Sequence, residues 1–400
     1  MQFNPLGRFI SARALFVTAR ELLNVAVGWE LWERTRSPLA LGLVGLAQVV
    51  PVAALFAPAG MLADRFDRKR LAAAASAVST LGTLGLAVAS ATGAHTVWFY
   101  ALLVVLGSAT SVHSPAASSL LPGLVARSEL ARANALVSSA FQLAKIGAPA
   151  LAGVILAASS PAACYAVAAV GSAGAAVAYL TLPSRRAAAP EARPTGEWLS
   201  GLRFILRSRR LLPAIVLDML AVLFAGVTAL LPIFAQEVLR AGPVALGVMR
   251  AAPSAGAMVA ALVGRRLPPW RHPGRVLLGV VVAFGAATIA FGASRSLGLS
   301  VFLLAVGGAL DNVSVIIRLT LEQMLVPDGM RGRVSAVHYV FIGVSNELGE
   351  LESGLVAAWL GAIGAVLAGG AAAIVVACAV AWLAPELREL PPLPTLEPEA

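Results

Sequence analysis

Apolar stretches recur along the whole of this 400-residue chain, each bounded by clusters of Pro, Gly and Arg. The hydrocarbon core of a bilayer is about 30 Å thick, so a helix that crosses it needs roughly 20 mainly apolar residues, and these stretches have that length. Twelve helices are predicted. They lie at about 9–33, 39–63, 71–92, 96–120, 134–158 and 161–182, and then at 211–236, 242–264, 274–293, 297–325, 334–358 and 360–384. Composition agrees, with 59% of residues hydrophobic and 12% charged, against roughly 25% charged in a soluble domain. A water-soluble fold is excluded, and the expected fold class is all-α integral membrane.

Six spans are divided from six by LPSRRAAAPEARPTGEW, Leu182 to Trp198, whose Pro, Arg and Ala content is that of a linker. The expected organisation is a six-helix half at 1–182, a linker at 183–210, a second six-helix half at 211–385 and a tail at 386–400. Inside the linker, LSGLRFILRSRR from Leu199 to Arg210 brings Leu202, Ile205 and Leu206 together at helical spacing and carries four arginines. It reads equally as a helix lying on the membrane surface or as a basic cap on span seven.

The two halves echo each other. SPLALGLVGLAQVVP, Ser37 to Pro51, is matched by GPVALGVMRAAP, Gly242 to Pro253, so that Pro38 corresponds to Pro243 and Gly42 to Gly247, 205 residues apart. The same offset relates Pro122 to Pro327. Beyond a short gap, RANAL at Arg132 to Leu136 is matched by RVSAV at Arg333 to Val337. A constant offset across unlike elements indicates two halves related as a parallel repeat.

A formal net charge of +10 raises the question of nucleic acid, and the placement of the basic residues answers it. Of the 30 Lys and Arg, only Arg34, Arg36, Arg240 and Arg295 lie on one side of the spans, and Arg20, Lys145, Arg250 and Arg318 lie inside them. All the others fall at the ends and loops of the opposite side. By the positive-inside rule both termini and the basic loops are cytoplasmic, so the charge reports topology and no nucleic-acid partner is expected. Cys164 and Cys378 sit far apart in apolar runs and read as small core residues, without metal-ligand or disulfide spacing. Met1 to Leu6 lacks the pattern of a cleaved signal peptide.

Between spans two and three stands GMLADRFDRKR, Gly60 to Arg70. It resembles the signature loop of the major facilitator superfamily, usually GxLADRxGRK, at Gly60, Leu62, Ala63, Asp64, Arg65, Arg68 and Lys69. Asp67 departs from the glycine of most members, and acidic residues there occur in the drug and siderophore exporter branch that includes the enterobactin and macrolide exporters. Glycine permits close helix packing, the Asp64 carboxylate suits the positive end of a facing helix, and Arg65, Arg68 and Lys69 suit the anionic leaflet. The resemblance implies a gating latch on Gly60, Asp64, Arg65, Arg68 and Lys69 that stabilises the outward-facing state. It also implies the major facilitator fold of twelve transmembrane helices in two parallel-related six-helix halves, a midplane substrate site and a monomer surrounded by membrane lipids. VGRRLPPWRHPGR from Val263 keeps Gly264, Arg265 and Arg266 of a degenerate second copy, without the acidic partner. KIGAPALAGVI in span five resembles the exporters' fifth-helix motif at Pro149 and Gly153, with Gly147 nearby.

Ionisable residues inside spans are costly and mark function by default. Span one carries Arg20, Glu21 and Asn24, span four His113, span five Gln142 and Lys145, and span seven Asp218. Span ten carries Asp311, Asn312, Arg318 and Glu322, and span eleven Asn346, Glu347 and Glu350. In the family's fold spans one, four, seven and ten line the cavity, with five, eight and eleven beside them. Arg20, Asn24, His113, Gln142, Lys145, Asp218, Asn312, Arg318 and Asn346 are therefore cavity candidates, and Glu21, Asp311, Glu347 and Glu350 are proton-coupling candidates. The arginine that many proton antiporters carry in span four is missing from VVLGSATSVHSPAA, Val104 to Ala117, which leaves coupling to the carboxylates. Lys145, Arg250 and Arg318 read equally as members of static ion pairs. No GxxxxGK[ST] loop is present, so ATP is not the direct energy source, and no cofactor is expected beyond a proton gradient.

The expected function is export of a small organic substrate, drug-like or siderophore-like, by alternating access with proton antiport in the bacterial inner membrane. An importer or uncoupled facilitator of the same fold is the alternative. A membrane-embedded lipid enzyme is remote, because His95, His113, His272 and His338 show no catalytic or metal-ligand spacing with Cys, Ser or Asp.

Overall fold

The computed structural model describes residues 5–183, 197–264, 266 and 270–396. Every regular element among them is helical, as a bilayer requires of a chain whose backbone groups must be satisfied within each span. The first half comprises α1 (Pro5–Thr35), α2 (Pro38–Arg65), α3 (Arg68–Ala91), α4 (Thr96–Ser118), α5 (Leu130–Ala158) and α6 (Pro161–Leu180). A linker helix (Glu197–Arg207) precedes α7 (Leu211–Val238), α8 (Gly242–Gly264), α9 (Pro273–Ala293) and α10 (Leu297–Leu325). The helix Arg331–Leu383 is 53 residues long and turns sharply at Gly361 (φ 73°, ψ 164°), which divides it into α11 (331–360) and α12 (362–383). A side chain at that left-handed position would be strained, so glycine makes the fold-back possible.

Ten helices among the described residues have the length and hydropathy of a membrane span. Division at Gly361 makes eleven, and α1, 31 residues long, is the twelfth. Its charged residues, Arg8, Arg13, Arg20, Glu21, Glu30, Glu33 and Arg34, keep it below the hydropathy of the rest. Bulky apolar side chains on the outer faces agree with a lipid surround: Trp359 and Trp382 are 90% and 80% exposed, a liability in water and ordinary against acyl chains.

Contacts gather into two compact units, Met1–Glu191 with Leu231–Ala251, and Ala192–Leu230 with Ala252–Ala400. In the first unit α1 packs on α5 and α6, α3 on α4 and α6, and α2 on α4. Arg34 closes one end of α1: it pairs with the buried Glu30 at 2.6 Å, donates to the carbonyls of Ala94 (2.9 Å) and Ser90 (3.3 Å) and lies over the ring of Phe99. In the second unit α7 and α9 pack on the α11–α12 helix, and α9 also on α10.

The repeat is visible in backbone geometry as well. Arg36, just before α2, and Arg240, just before α8, are left-handed at φ 48° and 49°, the two such non-glycine residues among those described. Span seven differs from its expected continuous form. It breaks after Ala225 at Gly226, then passes through a 3₁₀ turn at Thr228–Leu230 and a π turn at Phe234–Val238. The Gly226 carbonyl freed by the break accepts a hydrogen bond from Ser353 Oγ of α11 at 2.8 Å, which meets the rule that backbone groups at membrane depth find a partner.

The segment read as a surface helix or a basic cap is helical at Glu197–Arg207. Its apolar face seats on its own unit: Ile205 is buried, and the Gly201 Cα lies so close to the Arg333 backbone that a methyl there would stand 2.7 Å from its carbonyl.

Candidate transport site

In the first unit, Arg20 and Asn24 of α1 meet Gln48 of α2, Ser79 and Thr83 of α3, Thr110 of α4 and Ser172 of α6 around a cavity of about 30 Å³. That is room for a water rather than for an organic molecule. Arg20 is exposed at its edge, and Glu21 beside it is half-buried. Asn24 Oδ1 is buried with no hydrogen-bond partner, while its main-chain carbonyl accepts from Arg250 Nη1 of α8 at 3.2 Å. A buried amide oxygen without a partner is costly to desolvate, and such a group inside a polar pocket is suited to a transient donor.

His113, a cavity candidate by sequence, is a packing residue in the structure. It is buried with its ring stacked on Phe16 at a centroid separation of 3.6 Å and an interplanar angle of 13°, and Tyr179 meets it edge-on at 5.4 Å. Its Nε2 has no hydrogen-bond partner. On α5, Lys145 Nζ lies 5.4 Å from the Phe141 ring centroid, a cation–π contact, and Gln142 is half-buried. The fifth-helix motif divides by position. A methyl on Gly153 would stand 2.7 Å from the Pro243 carbonyl, so glycine there allows α5 and α8 to touch, whereas nothing lies within 4 Å of one on Gly147, and Pro149 is buried.

Of the signature loop, the side chains of Gly60, Asp64 and Arg65 lie outside the described residues. Arg68 Nη1 donates to the Ser119 carbonyl at 3.2 Å and Lys69 Nζ to the Leu182 carbonyl at 2.8 Å, so both cations tie the start of α3 to the ends of α4 and α6. Asp67, the departure from the usual glycine, is the N-cap of α3 and accepts from the backbone N–H of Lys69 at 3.0 Å and of Arg70 at 3.4 Å. Its local work is to satisfy helix donors.

The second unit holds a chain of buried ionisable groups. Arg318 on α10, 2% exposed, is among the largest fully buried side chains described. Its Nη2 lies 2.6 Å from Asp218 Oδ1 of α7, its Nε 3.3 Å from Ser314 Oγ, and its Nη1 3.4 Å from His338 Nε2 of α11. His338 Nδ1 lies 2.5 Å from Glu322 Oε2 of α10, and Ser335 donates to Glu322 Oε1. Two cavity candidates, Asp218 and Arg318, are thus joined directly, and Arg318 belongs to an ion pair rather than standing alone. His338 was weighed by sequence only as a catalytic or metal-ligating residue, and Glu322 was noted without a role. The signal for Glu322 was its i, i+4 spacing from Arg318, which puts both on one face of α10.

The remaining candidates lie elsewhere on α10 and α11. Asp311, Asn312, Glu347 and Glu350 are half-buried, Asn312 Oδ1 lacks a partner, and the exposed Asn346 donates to the Ile342 carbonyl of its own helix at 2.8 Å. Among the described residues no group of three or more His, Cys, Asp or Glu is placed to hold a metal ion. Cys164 is buried and Cys378 exposed, both free.

The described residues form twelve long helices, mainly apolar, that hold a polar cavity and buried charges, as a membrane transporter requires. The fold is that of the major facilitator superfamily. It superposes on a bacterial homologue of the human lysosomal transporter Spinster, crystallised inward-facing and occupied, with a TM-score of 0.76, 15% identity and 96% of each chain covered. The nucleoside transporter NupG matches at 0.69 and 14% identity, over 96% of this chain and 98% of that one.

Within that superfamily the chain belongs to the transmembrane secretion effectors, whose family model matches residues 13–393. It is 28% identical over 397 residues to the enterobactin exporter EntS of Citrobacter koseri, covering 97% of this chain and 93% of that protein. It is 29% identical over 368 residues to the enterobactin exporter of Salmonella choleraesuis, covering 90% and 85%.

Proposed function

We propose that this protein exports a siderophore-like or drug-like organic molecule across the bacterial inner membrane by alternating access, exchanging it for entering protons. Similarity to enterobactin exporters along nearly the whole chain supports the substrate class and the direction. Both termini and the arginine-rich loops face the cytoplasm, in keeping with the basic-residue asymmetry. The protein works as a monomer in contact with lipid.

The observation that carries proton coupling is the set of carboxylates held within spans of a chain without a nucleotide-binding loop: Glu21, Asp311, Glu347 and Glu350 half-buried, Asp218 and Glu322 buried. Burial opposes a carboxylate's charge and a neighbouring cation favours it, so a change of environment during the cycle takes up or releases a proton. Gly60, Asp64, Arg65, Arg68 and Lys69 act as the gating latch. Arg20 and Asn24, with Gln142 and Lys145, supply polar contacts to substrate.

Liposomes containing the purified protein, loaded with enterobactin and given an imposed pH gradient, test the reading. Efflux that rises with the gradient and stops with a protonophore supports it, and efflux indifferent to both refutes it.

A further inference from the structure

Among the described residues, the buried chain on α7, α10 and α11 sets one permanent cation, Arg318, against two carboxylates, Asp218 and Glu322. Arg318 is always cationic and can only donate, so the ring nitrogen facing its Nη1, His338 Nε2, is an acceptor without hydrogen. The hydrogen of the neutral imidazole is then on Nδ1, donated to Glu322 Oε2 at 2.5 Å. In that state one guanidinium faces two carboxylates, Asp218 and Glu322, in a cluster whose four ionisable members are each 7% exposed or less. Asp311, on the same helix as Arg318, also acts electrostatically on Asp218 and adds negative character. An excess negative charge in a low-dielectric interior is unfavourable, and a single added proton cancels it.

From this we propose that His338, held between Glu322 and Arg318, carries a proton of the transport cycle alongside the carboxylates. The inference rests on the proton-coupled reading above. When the proton arrives at Nε2, the imidazolium keeps its Nδ1–H on Glu322, now as a charge-assisted bond. At the same moment Nε2–H points at the N–H groups of Arg318, donor against donor and cation against cation. Arg318 retains Asp218 at 2.6 Å and Ser314, so its contact with His338 is the one that opens. Protonation thereby loosens α11 from Arg318 while the α7–α10 ion pair stays intact. Loss of the proton restores the acceptor and the contact. The bond made is N–H on the imidazole, the proton comes from water on one side of the membrane, and it leaves to water on the other.

The test uses the full-length protein in liposomes, with enterobactin as probe, in two modes: accumulation driven by a pH gradient, and counterflow at equal pH. His338→Asn and Glu322→Gln are expected to lower gradient-driven accumulation about tenfold or more while changing counterflow less than about threefold. Variants that keep gradient-driven accumulation alongside a gradient-driven wild type overturn the role of His338 and leave proton-coupled export standing. A wild type that ignores the gradient removes both.

Should the variants fail to fold, ring nitrogen NMR decides on protein labelled with ¹⁵N-histidine and carrying His95→Asn and His272→Gln, both at exposed positions. The ring signal that survives His113→Gln converts from neutral to imidazolium on acidification if His338 carries the proton. A signal that stays neutral throughout overturns the proposal.

Discussion

His113 and Arg318 occupy the same place in the repeat, 205 residues apart, as do Arg13 and Asp218. In the first half the position is filled by an imidazole sandwiched among Phe16 and Tyr179, and Arg13 reaches away to Ser118 at 3.4 Å. In the second half the same pair of positions forms the 2.6 Å ion pair from which the chain to His338 and Glu322 extends. One scaffold thus hosts aromatic packing in one half and a charged network in the other. Packing is insensitive to protons, whereas a network with a mismatched charge count responds to each one.

The comparison is most exposed at Arg318. Arg318→Leu leaves Asp218 and Glu322 buried without a cation and is expected to remove about 3–5 kcal/mol, read as a fall in the thermal unfolding temperature in detergent. Replacing Asp218 and Arg318 together by Leu restores part of that stability, since the pair is then absent rather than broken and only Glu322 is left without the cation. A double variant as unstable as the single one would show that the network is not organised by this pair.

In the first half the expected losses are those of packing and caps. Gly153→Val drives a side chain into the Pro243 carbonyl and is expected to cost about 1–3 kcal/mol by overpacking, whereas Gly147→Ala, in open space, stays within about 0.5 kcal/mol. Equal effects at the two glycines would contradict the α5–α8 contact. Asp67→Ala removes the N-cap of α3 at about 1 kcal/mol, and Asp67→Gly costs only a few tenths. Thermal unfolding of the four variants in one detergent checks both statements. His113→Phe, which keeps the stack on Phe16 and removes an unpartnered ring nitrogen, is expected to change stability by under about 1.5 kcal/mol and to leave the pH profile of transport unchanged. A shifted pH profile would erase the distinction between the halves.

Much of the fold was legible because its punctuation is local. Span eight at 242–264 and span ten at 297–325 were read to the residue, the first opening on Gly-Pro and ending at the glycine and arginines from Gly264, the second running from Ser296 to a Val-Pro stop. The break in α7 was not, since Gly226 sits within a run that stays apolar through Leu231, and hydropathy is blind to a backbone that finds its partner in Ser353 on another helix. The turn at Gly361 was legible as a span boundary but not as a single glycine inside one uninterrupted helical run.

The site was less legible for the same reason. Asp218 and Arg318 stood out as charges inside spans, yet their pairing is a tertiary fact. His338, close behind the arginines of RGRVSAV, reads as part of a helix start near the membrane surface, and only the packing of α11 on the rest of its unit brings it to Glu322. His113 misled in the opposite sense. An ionisable residue in a span suggested the cavity, while its aromatic neighbours, 97 and 66 residues away along the chain, turned it into core.

Proton movement itself is the most direct measure of the central claim. With a pH-sensitive dye trapped in liposomes and enterobactin moving down its own gradient at initially equal pH, the wild type should drive protons in the opposite direction to substrate and His338→Asn should move substrate with no pH change. Substrate flux through the wild type without any pH change would contradict proton-coupled export by this protein.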